Sequence, residues 1–428
     1  MTSDFRTGGL DFGTSNSALA VAGANGHAQL HTFCTEHSRQ ETFPSVLHVP
    51  PGRQPQVTAG PWAVEAYRSS GEGRLLQSIK SFVANATFEG TRIAGRLASV
   101  EELIALMLIA IRRDAEQASG SLGEALWVGR PVRFAGAKAD EELALGRLRR
   151  AFGRAGWTNV TFVPEPVAAA YHYCRQIETR QNILVADFGA GTSDFSVLEA
   201  RPGNDPGRPA INVLGISGVG IAGDTFDARI VQHAIAPALG SRATYLSDHK
   251  RLPMPRWLFA DLSRWHHLAL MNTSQNLALI KTLSKTSDQP ERLDALHLLI
   301  EQGYGFRLYQ AVSNAKAQLS LQDEASVQLD LGHISIKRTI QREKFDRWIA
   351  DDVGKLEVTL DKALSAAAIA PNMVERVFMT GGTSLVPAVR QLFERRFGAE
   401  RLAYGDEFLS VAKGLGIMAM EQVAQLDQ

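Results

Sequence analysis

Apolar and polar positions alternate along this chain in blocks that switch between strand-like and helix-like spacing. The most telling block is Ile183-Leu184-Val185-Ala186-Asp187-Phe188-Gly189-Ala190-Gly191-Thr192-Ser193-Asp194-Phe195-Ser196-Val197-Leu198. It predicts a buried strand, a tight glycine turn and a second strand. A hairpin needs only one turn dipeptide, so packing does not account for Asp-x-Gly-x-Gly-Thr-x-Asp between two apolar runs. Glycines let backbone N–H groups converge on an anion, and Asp187 and Asp194 could face a hydrated Mg²⁺. An ordinary β-turn with solvated aspartates is the competing reading. The pattern recurs as Gly9-Leu10-Asp11-Phe12-Gly13-Thr14-Ser15-Asn16-Ser17-Ala18-Leu19, with Asp187 standing 176 positions after Asp11. A repeat at that distance points to a duplicated domain. Two such hairpins could hold one nucleotide by its phosphates from both sides.

In chain order, residues 27–58 read as further strands. The stretch 60–82 is mixed and ends in an amphipathic lead-in to Lys80, which from its neighbours reads as a surface lysine. Ser99-Val100-Glu101-Glu102 is a capping box opening an apolar helix. A strand at 125–129, a helix from about 138 to 155 stopped by Gly156, and a strand at 160–163 follow. Glu165 then sits where a strand hands over to a helix with Pro166 in its first turn. It could contact a ligand at the strand's carboxyl end or simply favour the positive helix end. A strand at 211–216 leads into Gly218–Gly223, a literal G-x-G-x-x-G. It lies too deep in the chain for a dinucleotide fingerprint, and reads as a glycine turn bringing Asp224 near the phosphates. No G-x-x-x-x-G-K-[ST] is present.

From about 228 to 312 leucines recur at helical spacing beside Arg256-Trp257 and Arg264-Trp265-His266-His267. This predicts a helical subdomain with its own small core, or a partner surface. Adjacent histidines point apart on a helix, so His266-His267 is not read as a metal site. A helix around Ser313–Ser320, strands at 325–331 and 333–340, and a helix over 342–369 complete the pattern before a strand-turn-helix at Val377–Pro387. The last helix is expected from near Glu407, and its Gly414 and Gly416 permit close packing. The chain is expected to stop at Gln428 without a further domain.

Composition changes little. At 428 residues, 45% hydrophobic and 21% charged, with zero net charge, the chain fits two or three folded domains. It offers no global field for nucleic acid or anionic lipid. Two cysteines, Cys34 and Cys174, fit a reducing compartment. The N-terminus lacks an apolar signal core. The apolar run 103–111 is far short of the ~20 residues a membrane span needs. A cytoplasmic protein with no membrane or nucleic-acid partner is expected.

Taken together, these motifs resemble the actin-like ATPase superfamily. Within it the chain is most similar to the nucleotide-binding half of the DnaK-type heat-shock protein 70 family, and more narrowly to short YegD-like members. The resemblance runs from residue 11 to about 416. It implies an α/β actin-like ATPase fold with two duplicated ribonuclease-H-like lobes, 1–180 and 181–428, a nucleotide cleft between them, and a mainly helical insertion at about 228–312. It implies ATP/ADP and Mg²⁺ as ligands. Gly13, Thr14, Ser15 and Asn16 then form the first phosphate loop, and Gly189, Ala190, Gly191 and Thr192 the second. Asp11, Asp187 and Asp194 hold the metal, mostly through water. Lys80 takes the place of the catalytic lysine, with Asp187, Glu165 and Thr192 completing the catalytic set. Gly223, Asp224, Lys316, Ser320, Gly381, Gly382 and Thr383, with Pro387 after them, fall on the nucleoside side.

Some positions depart from the family. Leu385 and Ala317 replace arginines that stack on adenine, a loss of ~1–2 kcal/mol of cation–π binding or a relaxed base choice. Ser313 replaces an acidic residue, Ala190 a glycine, and the chain from Asp227 to Lys316 is longer than usual. The resemblance implies a monomeric, Mg-dependent ATPase switch of chaperone type, with a protein client or co-chaperone engaged through 228–312. The absent peptide-binding half argues against peptide clamping. An actin-like filament protein, a small-molecule kinase of the same superfold and a degenerate nucleotide sensor are the alternatives.

Overall fold

The computed structural model describes residues 6–22, 28–70, 72–134, 139–203, 208–263, 268, 271–404 and 410–426. His266, His267 and Glu407 lie outside the described residues. The chain forms two compact units: 1–220 with 359–381 and 393–428, and 221–358 with 382–392. These are contact units and cut the chain differently from the repeat-based lobes.

The two largest sheets of the first unit are each built on one of the aspartate hairpins. Strands Arg6–Phe12 and Asn16–Ala22 pair antiparallel. Strand Leu122–Arg130 joins Arg6–Phe12 in parallel and Asn159–Pro164 extends the edge, giving the spatial order 159–164, 122–130, 6–12, 16–22, 28–30. The second sheet runs 210–219, 193–201, 181–188, 376–380, 402–404. Its hairpin pairs Asp187 directly with Asp194. The α/β class and the duplicated strand–turn–strand plan are therefore as the sequence implied.

Helices Glu165–Cys174 and Ser410–Leu426 share one apolar cluster with both sheets, in which Ala168, Ala170, Ile183, Val185, Leu198 and Leu415 are buried. Small residues let them meet backbone to backbone: a β-carbon built at Gly414 would lie 1.9 Å from the Ala168 carbonyl oxygen. The other core surrounds helix Val100–Ser119. Its capping box is complete, with Ser99 Oγ accepting from the Glu102 amide and the Glu102 carboxylate accepting from Ser99 N–H at 2.9 Å. The amphipathic lead-in to Lys80 is a short strand, Arg74–Gln77, paired with 46–49.

In the second unit, helices Pro290–Glu301 and Gly305–Leu321 pack against the hairpin Glu324–Leu331/Ile334–Gln341, while helix Ser274–Thr286 packs on Pro290–Glu301 and helix Gly223–Ile230 on Gly305–Leu321. The 228–312 region is not purely helical: Thr244–Ser247 and Lys250–Pro253 form a hairpin. The long helix ends at Ala367, followed by Ala368 at φ 55°. Among the described residues no helix is long and apolar enough to cross a membrane.

Candidate active site

The two aspartate turns and two further segments, all in the first unit, bring five ionisable groups together. Asp11 sits at the end of its strand opposite Ala18. The turn after it is pinned by Ser45, whose hydroxyl donates to the Gly13 carbonyl at 2.8 Å and whose N–H donates to the Ser15 carbonyl at 2.8 Å. In the second turn Gly189 N–H donates to Thr192 O at 2.9 Å. Beside it, Asp187 accepts a hydrogen bond from the Thr380 hydroxyl at 2.6 Å, and Asp194 accepts one from Thr192.

Lys80 is the second residue of a 3₁₀ turn, Ile79–Phe82. It is not a surface lysine: its side chain is 9% exposed and its ammonium lies 2.9 Å from Glu165 Oε1. Glu165 opens helix Glu165–Cys174 as its first residue, so the strand-to-helix handover aims its carboxylate at Lys80. Burial disfavours the ammonium. The charges of Glu165, Asp11 and Asp187 outweigh that and hold the Lys80 pKa above its ordinary value.

The aspartates carry the opposite imprint. Burial, then the Glu165 charge, pushes Asp187 up to about 6, while the Thr380 bond and Lys80 pull it down. Burial, then Asp187, pushes Asp194 up to about 7. Asp11 is held well above the usual carboxylate range by burial, Glu165 and Asp187, with Lys80 opposing. Four carboxylates thus face one ammonium, an excess of negative charge that a divalent cation would relieve. Among the described residues no three His, Cys, Asp or Glu side chains stand close enough to ligate a metal directly. The donor set fits Mg²⁺, which keeps much of its water shell.

Two glycines lie against these neighbours. Gly218 pairs with Asp194, and a β-carbon there would collide with the Asp194 carboxylate. Gly381, at φ 81°, lies against the Phe188 carbonyl with no room for a side chain. The first glycine of the G-x-G-x-x-G run therefore serves the second aspartate turn rather than a dinucleotide.

In the second unit, Lys316 donates to Asp227 Oδ2 at 2.8 Å and to the Gly223 carbonyl at 3.0 Å. Ser320 Oγ donates to the Lys316 carbonyl at 3.3 Å. Asp224 is exposed as a residue, yet desolvation of its carboxylate, followed by the Asp227 charge, raises its pKa to about 6. Thr383 is buried, whereas Gly382 and Leu385 are exposed. Thr380, Ser45 and Gly218 were not singled out from the sequence as partners of the turns. Their contacts span 193, 32 and 24 positions, and no local pattern signals such a pairing.

Comparison with known proteins defines the class. Residues 77–253 and 278–420 match the family model described as Hsp70 protein. The chain belongs to the Hsp70 family, a family of nucleotide-binding ATPases with the actin-like fold. The stretch between the two matched segments, 254–277, falls inside the region that the sequence marked as longer than usual. A chaperone protein dnaK of Emiliania huxleyi is 24% identical over 418 residues, covering 91% of this chain and 56% of that relative. The chain thus spans little more than half the length of the curated relative it matches.

Proposed function

We propose that this protein is an ATP-binding, Mg-dependent ATPase that works as a nucleotide-driven switch of the DnaK type, akin to short YegD-like members and cytoplasmic. The observation that carries this reading is the 2.9 Å Lys80–Glu165 pair set among Asp11 and Asp187. Four stretches distant in sequence supply one site with no evident packing purpose. Phosphoryl transfer asks mainly for positioning and charge neutralisation, and this set offers both.

In this proposal, lobes 1–180 and 181–428 each contribute one phosphate turn, 13–16 and 189–192, through backbone N–H groups. Asp11, Asp187 and Asp194 would hold Mg²⁺ largely through water, and the ion would supply charge neutralisation on the phosphates. The Lys80 ammonium leaves Glu165 for the terminal phosphate oxygens. Glu165, released from that pair, orders the attacking water together with Thr192, and Asp187 supports both. Gly223, Asp224, Lys316, Ser320, Gly381, Gly382 and Thr383 are assigned to the nucleoside. A protein client or co-chaperone is engaged by the 228–312 region of a monomer.

The test is single-turnover hydrolysis of ATP by Lys80→Ala. The proposal expects turnover to fall by about 100-fold or more, with ATP affinity changed by less than about threefold. Unchanged turnover removes Lys80 from the mechanism.

A further inference from the structure

A second buried cation stands behind the Lys80 turn. Arg147 lies in the middle of helix Glu141–Arg154 and is 7% exposed. Among the described residues no carboxylate pairs with it. Four backbone carbonyls converge on its guanidinium instead. Nη1 donates to Phe82 O at 3.1 Å, to Val83 O at 3.3 Å and to Asn85 O at 3.0 Å, and Nη2 donates to Phe88 O at 3.0 Å. The acceptors are the last residue of the 3₁₀ turn carrying Lys80 and three residues of the segment that leaves it.

Val83 links the two cations. Its N–H donates to the Lys80 carbonyl at 3.2 Å, while its own carbonyl accepts from Arg147. The same helix grips the segment a second time, through Asp140 N–H to Ala84 O at 3.0 Å. On its other side the turn is entered through Ser78 at φ 55°, a left-handed conformation that a non-glycine residue holds only when its surroundings impose it. A guanidinium is costly to bury, and its five donors in a rigid fork suit a cage of carbonyls better than an ammonium would. A plain packing role at this position needs no charge at all.

We propose that Arg147 is a positioning residue for Lys80. It fixes the backbone from which the lysine side chain springs, so that the ammonium is delivered to one place. The inference rests on the catalytic role proposed for Lys80, although the clamp itself does not depend on it.

The test compares the full chain with Arg147→Met and Arg147→Lys. Amide hydrogen exchange, ATP affinity and single-turnover ATP hydrolysis are measured, and the Met change is repeated in a Lys80→Ala background. Arg147→Met is expected to lose about tenfold or more of its amide protection over 81–88, while helix 100–119 keeps its own. Hydrolysis should fall about tenfold or more while the ATP dissociation constant moves less than about threefold, and Arg147→Lys should recover part of both losses. In the Lys80→Ala background the Met change should add less than about twofold, because the residue acts through the lysine.

Unchanged protection over 81–88 overturns the proposal. So does a rate loss as large with Lys80 absent as with it present. If Lys80→Ala hydrolyses ATP like the wild type, the proposed function fails at Lys80. Amide exchange then decides Arg147 alone, since a loosened 81–88 segment sustains the clamp and an unchanged one removes it. Should Arg147→Met fail to fold, Arg147→Lys carries the test, with protection between wild type and none expected and wild-type protection refuting it.

Discussion

Gly414→Ala tests how the helix that carries Glu165 is held. The new β-carbon would lie 1.9 Å from the Ala168 carbonyl oxygen and 2.8 Å from its carbon. Both atoms are backbone, so no side chain can swing aside. Ordinary contact begins near 3.4 Å, which requires the two helices to part by roughly 1.5 Å in a core where Ala412 and Leu415 are fully buried; such overpacking costs about 1–3 kcal/mol. Alanine's better helix propensity offsets about 1 kcal/mol of that. The net expectation is a loss of about 0–2 kcal/mol in denaturant unfolding. Gly153→Ala in helix Glu141–Arg154 is the control, because a β-carbon there meets nothing within 4 Å. It should be neutral or stabilise by up to about 1 kcal/mol. Ala168 lies one turn along from Glu165, so Gly414→Ala should also slow ATP hydrolysis more than it weakens ATP binding. Equal effects of the two substitutions on stability would refute the close-approach argument.

Thr380→Val keeps the shape of the side chain but removes the 2.6 Å donor to Asp187. A lost bond to a charged acceptor is worth about 1.5–3 kcal/mol, and thermal unfolding at pH 8 should show a loss of that order; an unchanged melting temperature would remove Thr380 as a support of the turn. Desolvation of its carboxylate, followed by the Asp227 charge, pushes Asp224 from the ordinary carboxylate range up to about 6. The folded state therefore holds the proton more tightly, and this group's contribution to stability is fully present below pH 4 and lost as pH rises through 6. Asp224→Asn should flatten stability against pH between 4 and 7, and an unaltered slope would contradict the assignment.

Much of this architecture was legible because chemistry and packing each leave their own pattern. The aspartate turns stood out because they repeat and because a turn alone has no need of two carboxylates. The capping box at Ser99 and the small residues at Gly414 read directly into a helix start and a helix contact. Lys80 did not, because its burial comes from Glu165, 85 positions away. The hairpin 244–253 escaped notice because its turn is Asp248-His249, both at positive φ. The usual Asn-Gly or Asp-Gly signal is missing, although Asp and His also tolerate that conformation. Arg147 gave no signal at all, since a lone arginine on an amphipathic helix looks solvated until the carbonyls of another segment are in place.

The central claim is that the carboxylate–lysine cluster exists to bind a magnesium nucleotide. Calorimetric titration of the whole chain with ATP, with Mg²⁺ and with a chelator, tests it most directly. The account predicts one saturable site per chain in Mg²⁺ and at least about tenfold weaker binding once the metal is removed. No saturable ATP binding, or equal affinity with and without Mg²⁺, would contradict it.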